Sequence, residues 1–227
     1  MVFANRAEAG RQLADRLDHL RNEDVVVLAL PRGGVPVAFE VAHALGAPLD
    51  VILVRKLGVP FQPELGMGAI GEGGVRVLNA EVVHLAGVAA SEIDAVDLAE
   101  RRELTRRVAR YQGDRPPVEV AGRTAILVDD GIATGSTARA ACQVARALGA
   151  GRVVLATPVA ALGAVQDLTG EADEVVCVET PSQFLAIGQF YVDFAQTTDE
   201  EVVELLRRRS SRGPFKSAER RLPKSSA

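Results

Sequence analysis

Two adjacent aspartates, Asp129 and Asp130, end an apolar run and open a loop of small and hydroxylated residues; residues 125–140 read AILVDDGIATGSTARA. Like charges side by side at a strand end repel, and both cannot turn into a core, so a partner must compensate at least one of them. Sugar hydroxyls or a hydrated Mg²⁺ are suitable partners. The residues that follow, Ala133, Thr134, Gly135, Ser136 and Thr137, offer close-approaching backbone N–H groups, hydroxyls and the positive end of a helix, which together make a phosphate site. An ordinary strand-to-helix loop with Ser136 or Thr137 as N-cap accounts for TGST alone. It does not account for the two acids before it.

Two more stretches carry chemistry at the ends of apolar runs. LPRGGVP at 30–36 combines Arg32, whose fork of N–H donors suits a phosphate, with Gly33 and Gly34, which permit a backbone closed to other residues. VRKLGVP at 54–60 sets Arg55 beside Lys56, two cations that serve either an anion or the solvent. Each stretch has a bland explanation as a turn with surface charge. Their coincidence at three strand ends does not.

The elements that must position these residues are legible as apolar periodicity. Helical spacing of Ala9, Leu13, Leu17 and Leu20 predicts a helix over 5–22, opened by a capping box of Asn5 and Glu8. VVVLAL at 25–30 reads as a buried strand, VPVAFEVAHAL as a helix closed by Gly46, and DVILV at 50–54 as a second buried strand. The rhythm returns with strands at 125–128, 152–157 and 174–178 and helices at 136–148, stopped by Gly149, and near 161–169. The fold class expected is α/β, an open and mainly parallel sheet flanked by helices, with ligands beyond the carboxyl ends of its strands. Two segments break the rhythm. MGAIGEGGVRVLN at 67–79 predicts an exposed hairpin, and residues 90–112 a charged helix in which Glu100 and Glu103 pair with Arg106 and Arg107. That helix suits a solvated surface, a lid or a dimer contact.

Composition narrows the function classes. The chain of 227 residues carries a net charge of −4, which argues against a global basic field for nucleic acid. Residues 207–227 hold eight basic residues and one acid, leaving 18 basic and 29 acidic residues, a net −11, in the rest. That tail reads as a disordered solvated end or as a nucleic-acid or membrane tether. Cys142 and Cys177, the only cysteines, have no metal-ligand spacing with each other or with His19, His43 or His84, and suit buried thiols in a reducing compartment. No basic segment precedes a long apolar run, and no apolar stretch approaches the about 20 residues that span a bilayer, so a soluble cytoplasmic protein is expected.

VDDGIATGST resembles the phosphoribosyl pyrophosphate (PRPP) binding motif of type I phosphoribosyltransferases. It has neither the Gly-Lys-Ser/Thr of a Walker loop nor GxGxxG. The resemblance implies that Asp129 and Asp130 hold the ribose hydroxyls, that Ala133, Thr134, Gly135, Ser136 and Thr137 hold the 5′-phosphate, and that Arg32, Gly33 and Gly34 form the pyrophosphate loop. Arg55 and Lys56, in a segment similar to RKxGKLP of adenine phosphoribosyltransferases, would face the pyrophosphate, with Arg32 sharing its catalytic charge stabilisation. PSQFLAIGQFYVDFAQ at 181–196 holds four of the nine Phe and Tyr residues and is similar to the C-terminal hood of hypoxanthine-guanine enzymes. Phe184, Phe190, Tyr191 and Asp193 would then contact the acceptor, although core packing explains the rings equally well.

What the resemblance implies as a whole is an Mg²⁺-dependent enzyme using PRPP and a nitrogenous acceptor, with the metal held through PRPP and water, and a possible homodimer. The domain would span 1–206, with an insertion at about 60–120 and a hood at about 181–196. The hairpin, with Glu64, Gly66, Gly68, Gly71, Gly73 and Gly74 around it, is the candidate cover. Ala133 stands where 6-oxopurine enzymes carry an aspartate base, which argues against hypoxanthine and guanine. The alternative is a PRPP- or nucleotide-sensing regulator without turnover, using the basic tail to bind nucleic acid.

Overall fold

The computed structural model describes residues 2–113 and 115–210. Five parallel strands form the central sheet: β1 Val25–Ala29, β2 Leu49–Val51, β6 Thr124–Val128, β7 Arg152–Val159 and β8 Glu174–Glu179, in the order β2-β1-β6-β7-β8. Alternate residues of each strand feed two cores. Val25, Val27, Ala29, Ile126 and Val128 pack with α1 (Arg6–Arg16) and α2 (Gly34–Leu45) on one face. Val26, Leu28, Ala125 and Leu127 pack with α5 (Ser136–Ala147) on the other. Burial on both faces is why these strands are continuous apolar runs rather than alternating ones.

Strand order reverses between β1 and β6. From β1 the chain crosses through α2 outward to β2; from β6 it crosses through α5 the opposite way to β7, then through α6 (Leu162–Leu168) to β8. The loops after β1 and β6 therefore diverge and leave a crevice between them at the carboxyl ends of the strands. Gly46, at φ 67°, caps α2 as expected. The first helix is shorter than its apolar pattern suggests, ending at Arg16 before a 3-10 turn at Asp18–Leu20. Asn5 caps it by accepting the Glu8 N–H, but the Glu8 carboxylate returns to the Ala4 N–H rather than to that of Asn5.

The second expected strand divides. β2 ends at Val51, and the chain leaves the parallel sheet to begin β3 (Val54–Val59) of a second, antiparallel sheet with β4 (Gln62–Gly71) and β5 (Arg76–Leu78). The hairpin expected at 67–79 exists as β4 and β5 and is exposed in its turn and along β5, at Gly73, Gly74, Arg76 and Leu78; Met67, Ala69 and Ile70 of β4 are buried, and a Cβ on Gly71 would stand 2.3 Å from Val144 of α5. Its β4 arm is thus wedged against α5. A second exposed stretch, residues 60–65, turns from β3 into the start of β4, and Phe61 there is 67% exposed.

After α3 (Ala80–Ala86), α4 (Ala90–Gln112) forms as predicted. Glu103 pairs with Arg106 and Arg107, but Glu100 turns away to Arg55 of β3. α7 (Asp199–Ser210) carries the domain past the expected boundary at 206, and the Arg208 guanidinium lies 5.2 Å from the Phe39 ring centre. The rest of the basic tail, 211–227, lies outside the described residues.

Candidate active site

The loops after β1 and β6 meet in the crevice. Gly33 caps α2 at φ −60°, ψ −31°, an ordinary helical conformation, so the expectation of a backbone reserved for glycine is not met there. What Gly33 and Gly34 supply is space. A Cβ on Gly33 would stand 2.0 Å from Asp130 Oδ2, and one on Gly34 would stand 2.5 Å from the Val128 carbonyl oxygen. The Pro31–Arg32 peptide between β1 and this turn is cis.

Across the crevice, β6 delivers the acidic pair with unequal surroundings. Asp130 is 8% exposed, and its Oδ2 accepts Arg6 Nε–H at 2.7 Å. The partner that the paired acids demanded is thus supplied from inside the chain, 124 residues away. The Asp130 carbonyl accepts the Tyr191 hydroxyl at 2.6 Å, and its N–H donates to Asp129 Oδ1 at 2.9 Å. Asp129 is recessed but more open to solvent. Burial, and then the neighbouring Asp130 charge, push its carboxyl well above the ordinary carboxylate range.

Beyond the pair, Ile132 is pinned to the end of β7 by donating to Val159 O and accepting from the Ala161 N–H, both at 2.9 Å. The loop then opens outward, with Ala133, Thr134, Ser136 and Thr137 exposed. Gly135, at φ 75°, turns the chain into α5 as its N-cap with no side-chain cap bond, so neither Ser136 nor Thr137 is spent on capping. Thr134 Oγ1 and Ser136 Oγ lie 3.3 Å apart at the helix N-terminus. Exposed hydroxyls there, beside uncapped N–H groups and the positive helix end, form an anion-binding geometry.

The other expected site residues are held in ion pairs with neighbouring elements or packed in the hood. Arg55 and Lys56 lie within β3 of the second sheet rather than at a parallel strand end, with Arg55 Nε 2.6 Å from Glu100 Oε2 and Lys56 Nζ 3.7 Å from Glu64 Oε2. Arg32 Nη1 is 3.8 Å from Asp199 Oδ1, which also faces Arg110 and the Tyr111 hydroxyl. Two of the hood's rings are core: Phe190 and Tyr191 are 7% and 6% exposed and pack with Phe3 and Val159. Phe184 is half-buried 5.5 Å from Phe190, and the exposed Asp193 accepts the Ala195 N–H. The same segment anchors the N-terminal arm, through Phe3 N–H to Phe190 O and Val192 N–H to Phe3 O, both 2.8 Å.

A separate cavity of about 530 Å³ lies between α4, the turn joining β4 to β5, residues 117–121 and the C-terminal turn of α5. Asp50 and Glu72 line it, and none of the loop residues of the crevice does. Among the described residues no three His, Cys, Asp or Glu side chains converge as a metal site, and no helix is long and apolar enough to cross a membrane.

An open parallel sheet whose two loops meet at its switch point defines a class of α/β protein that binds its ligands beyond the strand ends. The chain belongs to the phosphoribosyl transferase domain family, whose model matches residues 2–195. It is 58% identical over 207 residues to the Mycobacterium tuberculosis proteins named "Putative phosphoribosyl transferase MT0597" (strain CDC 1551 / Oshkosh) and "Putative phosphoribosyl transferase Rv0571c" (strain ATCC 25618 / H37Rv). That overlap covers 91% of this chain and 47% of each of theirs, so the chain spans about half the length of the curated relatives it matches. It is also similar to the solved structure of TT1426 from Thermus thermophilus, at 45% identity and a TM-score of 0.85, over 91% of this chain and 98% of that one. The membership that VDDGIATGST implied is met.

Proposed function

We propose that this domain transfers the 5-phosphoribosyl group of PRPP to a nitrogenous acceptor and releases pyrophosphate, with Mg²⁺ as cofactor. One observation carries the reading: the Arg32-Gly33-Gly34 loop and the Asp129-Asp130 loop meet through Gly33 and Asp130, so a pyrophosphate-type and a ribose-phosphate-type loop share one crevice. In the reaction the C1′–O bond to pyrophosphate breaks with its electron pair leaving on oxygen, and the acceptor nitrogen bonds to C1′. The transition state has oxocarbenium character, so charge stabilisation on the leaving group is the main need, and no protein nucleophile is required.

Thr134, Ser136, Thr137 and the N–H groups opening α5 would hold the 5′-phosphate, the acidic pair would face the ribose, and Arg32 would offer its donors to pyrophosphate. The donor chemistry fits a magnesium ion that arrives bound to substrate phosphates, because the adjacent carboxylates of Asp129 and Asp130 make no closed cage among the described residues and such ions keep most of their water. When bound it would supply charge neutralisation at the departing pyrophosphate. Ala133, exposed and without a proton-accepting group, favours an acceptor that needs no carboxylate at that position, which sets hypoxanthine and guanine aside.

The test is a PRPP titration with Mg²⁺ on the wild type and on the Asp129→Asn/Asp130→Asn double variant, followed by pyrophosphate release across an acceptor panel. Tight binding lost in the variant, with release for one acceptor, is the expected result. Equal affinity in the two proteins overturns the reading. Binding without turnover on any acceptor would instead leave a PRPP sensor.

A further inference from the structure

We infer that Arg6 is a positioning residue of the ribose site: it draws the Asp130 carboxylate inward, so that Asp130 braces the crevice while Asp129 alone meets the ribose hydroxyls. The inference rests on the PRPP reading above and refines it, since it divides the work of a pair that the resemblance treats alike.

The bracing is a closed circuit. Arg6 and Asp130 side chains are each 12% exposed and 2.7 Å apart, and a second Arg6 nitrogen donates to Ala195 O at 2.6 Å. The guanidinium sits 4.0 Å from the Phe194 ring centre, Phe194 stacks on Tyr191 at 4.9 Å, and the Tyr191 hydroxyl returns to the Asp130 carbonyl at 2.6 Å. Side chain and carbonyl of residue 130 are thereby both held, which restrains the backbone on either side of its Cα. The N–H of that residue holds Asp129 Oδ1 at 2.9 Å, so the circuit ends by setting the rotamer of the more open aspartate. Asp130 itself has little left to offer a ligand: it is buried, one oxygen accepts from Arg6, and the same carboxylate abuts Gly33. A planar fork that donates to two acceptors while stacking on a ring is work for arginine, and lysine does not reproduce it.

The experiment pairs a ligand-free with a ligand-bound measurement on the full chain. Hydrogen exchange of the Val192 and Asp193 amides, which donate to Phe3 O and Ala4 O, reports the brace without ligand. Titrations with ribose 5-phosphate and with pyrophosphate report the two halves of the crevice. Asp129→Asn is expected to leave the exchange unchanged and weaken ribose 5-phosphate by about ten- to a hundredfold, the worth of hydrogen bonds to a charged group. Arg6→Ala and Asp130→Asn are each expected to speed the exchange and weaken ribose 5-phosphate by about tenfold, with pyrophosphate affinity held within about twofold. The Arg6→Ala/Asp130→Asn double variant should be no worse than either single, because the two act as one unit. Arg6→Lys should restore less than half of the loss.

Arg6→Ala without effect on exchange or ribose affinity overturns the inference. So does Asp130→Asn abolishing ribose binding while Arg6→Ala leaves it intact, which would return Asp130 to direct contact. A wild type that binds neither ribose 5-phosphate nor PRPP overturns the PRPP reading and the ribose role of Asp129 with it, while the exchange data still decide whether Arg6 ties arm, hood and Asp130 together.

Discussion

Gly33 and Asp130 touch across the crevice: a Cβ added at Gly33 would stand 2.0 Å from Asp130 Oδ2 and 2.5 Å from its Cγ. The loop after β1 and the loop after β6 are thus held at contact distance by the absence of one methyl group. Because Gly33 has a helical φ and ψ, space alone demands glycine there.

Gly33→Ala should therefore act as an overpacking substitution, costing about 1–3 kcal/mol, and should displace the one carboxylate that both loops share. Gly163→Ala is the matched control. Gly163 lies in α6 with nothing within 4 Å of its would-be Cβ, and alanine there should add about 0.5–1 kcal/mol through helix propensity. Urea melts of the two variants check the opposite signs.

The strands that frame this contact were readable because they are buried on both faces, which leaves unbroken apolar runs such as those at 25–30 and 125–128. Gly46 and Gly149 stop helices as their left-handed conformations require. The partition of residues 49–54 was not readable. Ile52 and Leu53 are buried, so hydropathy does not fall where β2 stops and the chain moves to another sheet. That one hidden break relocated Arg55 and Lys56. Arg6 was hidden for a different reason, since a residue just after an N-cap is explained by the helix it opens, and only the tertiary fold brings it to Asp130. The hood's rings were found as a cluster, but a cluster of aromatics in sequence does not say which side of it faces the core.

Phe190 and Tyr191 give the energetic check on that last point. Phe190→Ala, removing a ring that is 7% exposed, should cost about 3–5 kcal/mol. Tyr191→Phe, losing the hydroxyl that donates to Asp130 O, should cost about 0.5–1.5 kcal/mol. A stacking wall for a base would predict the reverse: stability kept and acceptor affinity lost.

Glu72 supplies a pH dependence. Burial, then the Asp50 charge, push its carboxyl from 4.5 up to about 7, against the lowering by the Leu53 N–H and by Gln112. Asp50 is itself raised by burial and lowered by the Val51 and Val118 N–H groups and by Arg115. The folded state therefore holds the Glu72 proton more tightly than the unfolded chain, and its contribution is complete below 4.5 and lost as pH rises to about 7. Glu72→Gln should flatten this window and be more stable than wild type at pH 8 by about 2 kcal/mol, on the order of the shift discounted for partial solvent access. Thermal melts from pH 4.5 to 8 measure it.

Arg55 tests whether the second sheet joins in catalysis. Its pairing with Glu100 at 2.6 Å is half-exposed, so Glu100→Gln should change stability by less than about 1 kcal/mol. If Arg55 reaches pyrophosphate, as the resemblance to adenine phosphoribosyltransferases implies, it must first leave Glu100, and that cost is part of the measured affinity. Removing the competitor should then tighten pyrophosphate binding by about two- to fivefold, which is less than a full decade because the pair is solvent-screened. Arg55→Ala should weaken binding, and the double variant should match Arg55→Ala alone. An affinity indifferent to both substitutions would make the pair a strut between β3 and α4, leaving Arg32 as the leaving-group cation supplied by the loop after β1.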